Sequence, residues 1–295
     1  MYYRRKVLLS MLQVFENRLD KIQLQKLLFL HSRYDTKKRT YDFVPYKYGC
    51  YSFQANADLK TLKKYGIVDE TKNYWSKIDE TNYLAQLNSD DKKIVSDFAI
   101  IYKNKSSRDL IKLTYNRYPY FAINSIIAEK HLSKQELKKI NDIKFEENET
   151  TLFTIGYEGI SFEHYLNKLI RNNIKVLCDV RKNALSMKYG FSKNQLKTAC
   201  ESLGIIYIHI PEVGINSDKR KELNCQKDYD LLFDEYKTNN LTQTVNYQKE
   251  ILNLLKKNKR IALTCFEADN CQCHRTHLAE AVSELKEFKY VIEHL

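Results

Sequence analysis

The sequence predicts an α/β domain, a mostly parallel sheet with helices on both faces, preceded by a mainly helical domain with a winged-helix-like order of elements. Three observations carry this. From residue 151 onward short apolar runs alternate with amphipathic stretches, and before about residue 145 apolar residues recur at helical spacing. Only 7 Gly and 3 Pro interrupt 295 residues, so regular elements and short connections are expected. At roughly 100–200 residues per domain, the length suits two domains, each able to bury a core. The boundary falls at 144–150, where Glu146, Glu147 and Glu149 form a short acidic stretch. The domains are then 1–145 and 151–295.

In the first domain, 4–18 and 20–31 read as helices, the second from Ile22, Leu24, Leu27, Leu28 and Leu30. Ser52 suits the N-cap of a helix through Ala55, Leu59, Leu62 and Tyr65, which Gly66 would end in the left-handed conformation. Ile67-Val68, a polar turn over 69–73 and Tyr74-Trp75 read as a β-hairpin, and helices followed by a hairpin are the order of a winged helix-turn-helix. Leu110 with Leu113, and the residues over 121–127, suggest two more helices. Ser133 and Glu136 form a capping box for another.

In the second domain, strands are expected over 152–155, 174–178, 205–210, 260–265 and 290–292. Helices are expected near 161–172, 192–203, 227–238, 243–257 and 275–287. Ser161 and Ser192 suit N-caps and Gly204 a C-terminal stop. Apolar strands separated by helices build parallel sheets covered on both faces.

The chain carries 49 Lys and Arg against 37 Asp and Glu, a formal +12. Residues 1–150 hold 28 basic and 19 acidic groups and so own +9 of it. Arg33, Lys37, Lys38, Arg39 and Lys47 are interleaved with Tyr34, Tyr41, Phe43, Tyr46 and Tyr48. Such a surface suits a nucleic acid, because cations release phosphate counterions and rings stack on bases. Its bland counterpart is a solvated face above core tyrosines. The longest apolar runs fall far short of the roughly 20 residues that span a bilayer, so no membrane is expected. Basic residues 4–6 before an apolar stretch imitate a signal peptide, but no small-residue cleavage site follows and 16–18 continue a helical pattern. Seven cysteines, an odd number, then point to free thiols in the cytoplasm.

The unusual polar residues all follow strands: Gly156-Tyr157-Glu158-Gly159, Asp179-Val180-Arg181, Pro211-Glu212-Val213-Gly214, and Glu267 with Cys271, Cys273, His274 and Arg275. Open parallel sheets bind ligands at these carboxyl ends. Arg181, Lys188 and Arg275 are candidates for an anion pocket, Arg275 near a helix N-terminus, and Gly156 and Gly159 for close approach to a ligand. The competing reading has Asp179 pairing with an arginine to fix loops. Glu267 is the first candidate acid or base, Asp179 the second and Glu158 the third, two carboxylates being able to share hydrolysis of a glycosidic bond. Cys265, Cys271, Cys273 and His274 offer soft ligands for zinc. Against zinc, side chains of adjacent Cys273 and His274 would diverge at a helix start. Cys273 is alternatively a thiol nucleophile activated by the helix terminus and Arg275. Cys265 reads as buried and inert, and His209 and His277 as ordinary sheet and helix residues.

Two resemblances add to this. Lys26-Leu27-Leu28-Phe29-Leu30, Tyr41-Asp42-Phe43-Val44-Pro45-Tyr46-Lys47-Tyr48-Gly49, Ser52 and Asp58-Leu59-Lys60-Thr61-Leu62 resemble YwgA-like and Panacea-related domains. That implies a small helical, winged-helix-like module of toxin–antitoxin and phage-defence contexts, some of whose members bind proteins instead of DNA. Cys50 stands where Pro is usual. Thr154-Ile155-Gly156-Tyr157, Asp179-Val180-Arg181, Ser186 through Phe191, Pro211 through Gly214, and Cys265-x-Glu267 followed by Cys273-His274-Arg275 resemble the DUF488 family. Val213 replaces its usual Leu and Ala184 its common Pro. This resemblance implies a Rossmann-like domain often found near DNA-modification or defence systems, and it implies no established reaction.

The resulting expectation is a nucleic-acid-directed protein, DNA being the favoured partner. Its α/β site binds a phosphate-bearing nucleotide or modified DNA, including Tyr157 and His274 among the ligand contacts, and hydrolyses it. A non-catalytic nucleotide-sensing regulator and a protein-interaction antitoxin or adaptor stand as alternatives, as do a homodimer and a defence-system protein partner.

Overall fold

Two units make up the chain, Met1–Lys144 and Phe145–Leu295. The computed structural model describes residues 1–34, 40–145, 149–216, 218 and 225–295. Each unit has its own core.

The first unit is mainly helical. Helix α1 (Tyr3–Val14) ends earlier than its apolar pattern suggests. Glu16 and Asn17 adopt left-handed φ of 63° and 59°, turning the chain into strand β1 (Arg18–Asp20). Helix α2 (Lys21–Tyr34) follows, with Leu24, Leu27, Leu28, Phe29 and Leu30 buried. The aromatic stretch after it is a hairpin, β2 (Val44–Tyr46) and β3 (Gly49–Tyr51), that sequence periodicity did not indicate. Helix α3 (Phe53–Lys64) starts where Ser52 accepts a hydrogen bond from the Ala55 amide, and Gly66 leaves it at φ 69°. The expected hairpin is present as β4 (Val68–Glu70) and β5 (Tyr74–Lys77), but β5 also pairs with β1, making a three-stranded antiparallel sheet in the order β1-β5-β4.

Helix α4 (Ser89–Tyr102), capped by Asn88, went unnoticed in the sequence, and α5 (Ser107–Arg117) begins with a Ser106/Asp109 capping box. The residues 121–127 are not a helix. Pro119–Ala122 is a 3-10 turn, and a one-turn helix, α6 (Ala128–His131), follows. Helix α7 (Lys134–Asn141) carries the expected Ser133/Glu136 box.

The second unit is α/β. Strand β6 (Thr151–Gly156) leads through α8 (Phe162–Arg171) to β7 (Val176–Asp179), and α9 (Lys193–Ser202) leads to β8 (Ile206–His209). Helix α10 (Gln226–Glu235) continues as a π-helical turn, Tyr236–Leu241, before α11 (Val245–Asn258), β9 (Arg260–Cys265), α12 (His274–Ser283) and β10 (Val291–His294). The sheet order is β10-β6-β9-β7-β8, with every neighbouring pair parallel. Leu152, Val176, Cys178, Ile261 and Leu263 pack on one face with α11 and α12 residues Ile251, Leu255, Leu278 and Val282. On the other face Tyr165 of α8 donates to Thr264 Oγ1 at 2.8 Å. Ser161 caps α8 as expected. Ser192 stands before α9, yet its hydroxyl donates to the Ser186 carbonyl instead of capping.

Candidate functional site

The strand ends of the second unit bring the predicted polar residues to one rim, but register separates them into two clusters. Asp179 is paired with Thr264 and His209, whereas Cys265 is the next residue of β9. Successive side chains leave opposite faces of a sheet. Asp179 therefore belongs to the face covered by α8, and Cys265 to the face covered by α12.

On the first face Asp179 and Arg181 are buried. Arg181 Nε donates to Asp179 Oδ1 at 2.8 Å and Nη2 to Oδ2 at 2.5 Å, while Tyr207 Oη donates to Oδ2 at 2.6 Å. Arg181 Nη1 donates to Tyr157 Oη at 2.7 Å, and the Tyr157 ring stacks on Phe191 at 4.1 Å. Burial alone would weaken the guanidinium's hold on its proton, but the hydrogen bonds and charge of Asp179 outweigh it and keep Arg181 cationic. This arrangement corrects two expectations. The Asp179 carboxylate is engaged by four donors, the Arg181 amide included, which does not suit an acid–base residue, and the Arg181 guanidinium is spent on internal partners instead of facing a ligand anion. Lys188, half-buried, donates to the Tyr157 carbonyl at 2.6 Å, and burial lowers its pKa. His209 Nε2 donates to the Arg181 carbonyl, an ordinary structural role.

On the second face four side chains converge. Cys265 Sγ and Cys273 Sγ each lie 3.1 Å from Glu267 Oε2, and His274 Nδ1 lies 3.6 Å from Cys265 Sγ. Cys265, Cys273 and His274 are at most 2% exposed, while Glu267 is half-buried at the rim. The adjacent side chains of Cys273 and His274 do not diverge. Cys273 is the N-cap of α12 with extended φ −133° and ψ 129°, and His274 is the first helical residue, so the backbone bend between them turns both inward. Cys271 is exposed and stands outside the group, its amide donating to Asp269 Oδ1. The residues able to hold a metal are thus Cys265, Cys273 and His274, without Cys271.

A free thiol nucleophile at Cys273 is not what the site builds. Burial, reinforced by the Cys265 thiol, pushes the Cys273 thiol well above its ordinary value despite Arg275 and the helix terminus. Arg275 is itself buried and donates to the carbonyls of Glu267 and Ala268 and to Asn270 Oδ1, at 2.6, 3.2 and 2.7 Å. It staples the loop before α12 and does not open toward an anion with Arg181. Glu158 accepts from the Ala268 amide at 3.0 Å, bracing the same loop. Gly156 does permit a close approach, but by protein: a Cβ there would sit 1.8 Å from the Glu267 carbonyl oxygen. Beside the cluster, Tyr236 packs edge-on to His274 at 5.6 Å and also lines a small cleft of about 110 Å³ with Lys182, Gly214, Asn239 and Asn240. Sequence reasoning did not find this cleft, because its walls come from segments far apart in the chain.

The first unit holds a larger cleft, about 410 Å³, lined by Tyr46, Tyr48, Tyr51 and Trp75 together with Lys21, Gln25, Asn56 and Lys72. Tyr48 is 47% exposed, and Lys47 is exposed beside Tyr46. Tyr41 and Phe43, by contrast, are core residues. Arg33 is half-buried with its guanidinium over Phe29, Tyr118 and Phe121, so it is packed among rings. Lys37, Lys38 and Arg39 lie outside the described residues. Below the cleft Lys26 is buried, donating to the Tyr48 carbonyl at 2.6 Å, and burial lowers its pKa.

No helix among the described residues is long and apolar enough to cross a membrane. No curated protein matches the chain. Residues 161–282 match the family model described as Domain of unknown function DUF488, a stretch within the second unit that begins after the Gly156-Tyr157 motif. The second unit, with its parallel sheet and strand-end clusters, carries a DUF488 domain.

Proposed function

We propose that the protein is nucleic-acid-directed. The first unit holds a strand of nucleic acid, DNA in preference, and the second acts on a phosphate-bearing nucleotide or modified base of it. The observation that carries this reading is the first unit's aromatic cleft, where Tyr46, Tyr48 and Tyr51 offer faces for bases and Lys21, Lys47 and Lys72 lie on or beside its walls. Ring faces stack on bases irrespective of sequence, and lysines release counterions from phosphates. The surplus of positive charge in residues 1–150 supports the same partner. The resemblance to winged-helix-like modules of phage-defence systems belongs to this proposal as well.

In the second unit the reaction class is hydrolysis, with Glu267 as acid or base. It stands at the rim, half-buried, above the buried thiols and imidazole. The Lys182, Asn239 and Asn240 cleft supplies donors for a phosphate. Fluorescence anisotropy with single- and double-stranded DNA and RNA across a salt series tests the first part. A steep fall of affinity with salt supports it, and salt-independent or absent binding refutes it. Product analysis on plain and modified DNA tests the second. Turnover lost in Glu267→Gln supports it, and unchanged substrates with the wild-type protein refute it.

A further inference from the structure

We propose that the second unit binds one zinc ion between Cys265 Sγ, Cys273 Sγ and His274 Nδ1, with the fourth, solvent-facing position open to water at the rim where Glu267 stands. Zinc–sulfur and zinc–nitrogen bonds of about 2.3 and 2.0 Å in a tetrahedron place donor atoms about 3.3–3.8 Å apart. Here Cys265 Sγ and His274 Nδ1 are 3.6 Å apart, both sulfurs are 3.1 Å from Glu267 Oε2, and the two sulfurs and the imidazole nitrogen lie within 4.8 Å of one another. Small movements close this set around an ion.

The imidazole is oriented for the task. His274 Nε2 is 3.0 Å from the Val180 carbonyl, which only accepts, so the proton resides on Nε2 and the Nδ1 lone pair points into the cluster. A backbone carbonyl fixing the far nitrogen is the usual outer support of a metal-binding histidine. The support extends further: Arg275 ties the loop of Glu267 to α12, and Gly156 lets that loop lie against β6. The three donors thus come from the end of a strand (Cys265) and the start of a helix (Cys273 and His274), both rigid elements.

The donor set selects the ion. Two thiols and an imidazole are soft to borderline ligands that suit zinc and not calcium or magnesium, which take oxygen ligands. Binding is balanced by release of two protons: each thiol gives its hydrogen to solvent as its sulfur bonds the ion.

The test needs neither nucleic acid nor turnover, so it stands apart from the nucleic-acid reading. The full chain is purified under reducing conditions without chelator, and its zinc is measured by inductively coupled plasma mass spectrometry. The stripped protein is then titrated with Co2+. About one zinc per chain and a thiolate-to-cobalt charge-transfer band with intense tetrahedral d–d bands are expected. Cys273→Ser should weaken Co2+ affinity at least tenfold, and Cys271→Ser should leave it unchanged. Absence of both stoichiometric zinc and the charge-transfer band in folded wild-type protein overturns the proposal. So does equal loss of affinity in the Cys271 and Cys273 variants, with circular dichroism confirming folding of each.

Discussion

Asp179 and Arg181, two residues apart at the end of β7, close on each other in a buried two-point ion pair, Nε to Oδ1 and Nη2 to Oδ2. Tyr207 and Tyr157 extend it on either side. The pair fixes the β7 loop. Removing one partner strands the other charge away from water. Asp179→Asn or Arg181→Met should therefore each destabilise the second unit by about 3–5 kcal/mol. The Asp179→Asn/Arg181→Met double variant should cost clearly less than the sum of the single changes. Urea denaturation followed by circular dichroism reads both, and simple additivity would show that the pair does not act as a unit.

Gly156 is tied to the chemistry of its neighbour through space. A Cβ at 156 would meet the Glu267 carbonyl at 1.8 Å, a contact with backbone that no rotamer relieves. Gly156→Ala should cost about 2–3 kcal/mol, the scale of overpacking in a tight core. Gly159→Ala is the control: φ is +73° but nothing lies within 4 Å, so only the left-handed penalty of about 1–2 kcal/mol applies. Thermal denaturation of both variants ranks them, and the reverse order would contradict the geometry.

In the first unit, Tyr48→Ala should weaken single-stranded DNA binding by about 1–3 kcal/mol, the loss of one stacked base. Lys47→Ala should weaken it less and lower the slope of log K against log salt by about one. Anisotropy titrations at several salt concentrations separate the two signatures. Unchanged affinity in Tyr48→Ala would remove the aromatic cleft from the binding surface.

Glu70 gives a pH signature. Burial raises its pKa, but hydrogen bonds from Lys21 and Lys60 and their charges outweigh this and hold the carboxyl at about 2. Because the folded value lies below the unfolded one, the pair stabilises fully above the ordinary carboxylate pKa, and the effect fades as pH falls from about 4.5 toward 2. Solvent screening leaves about 1 kcal/mol. Glu70→Gln should therefore melt below the wild type at pH 7, with the gap closing at acid pH. A gap independent of pH would assign the loss to packing instead.

By itself the sequence determined what depends on near neighbours. The helical and strand periodicities, the caps at Ser52, Ser133 and Ser161, and the left-handed turn at Gly66 were all legible. So was the rule that puts Gly156, Asp179, Cys265 and Glu267 at strand ends, because a strand's direction follows from the βα alternation. Only the tertiary structure decided what those residues face. The parallel register pairs Asp179 with Thr264 and so sends Asp179 and Cys265 to opposite sides of one sheet, a one-residue difference that no local pattern records. It also spent Arg181 and Arg275 on internal oxygens, bent the chain at Cys273 so that two adjacent side chains meet, and paired β1 with β5 across more than fifty residues. Periodicity is set along the chain, whereas these contacts are set across it by strand order and burial.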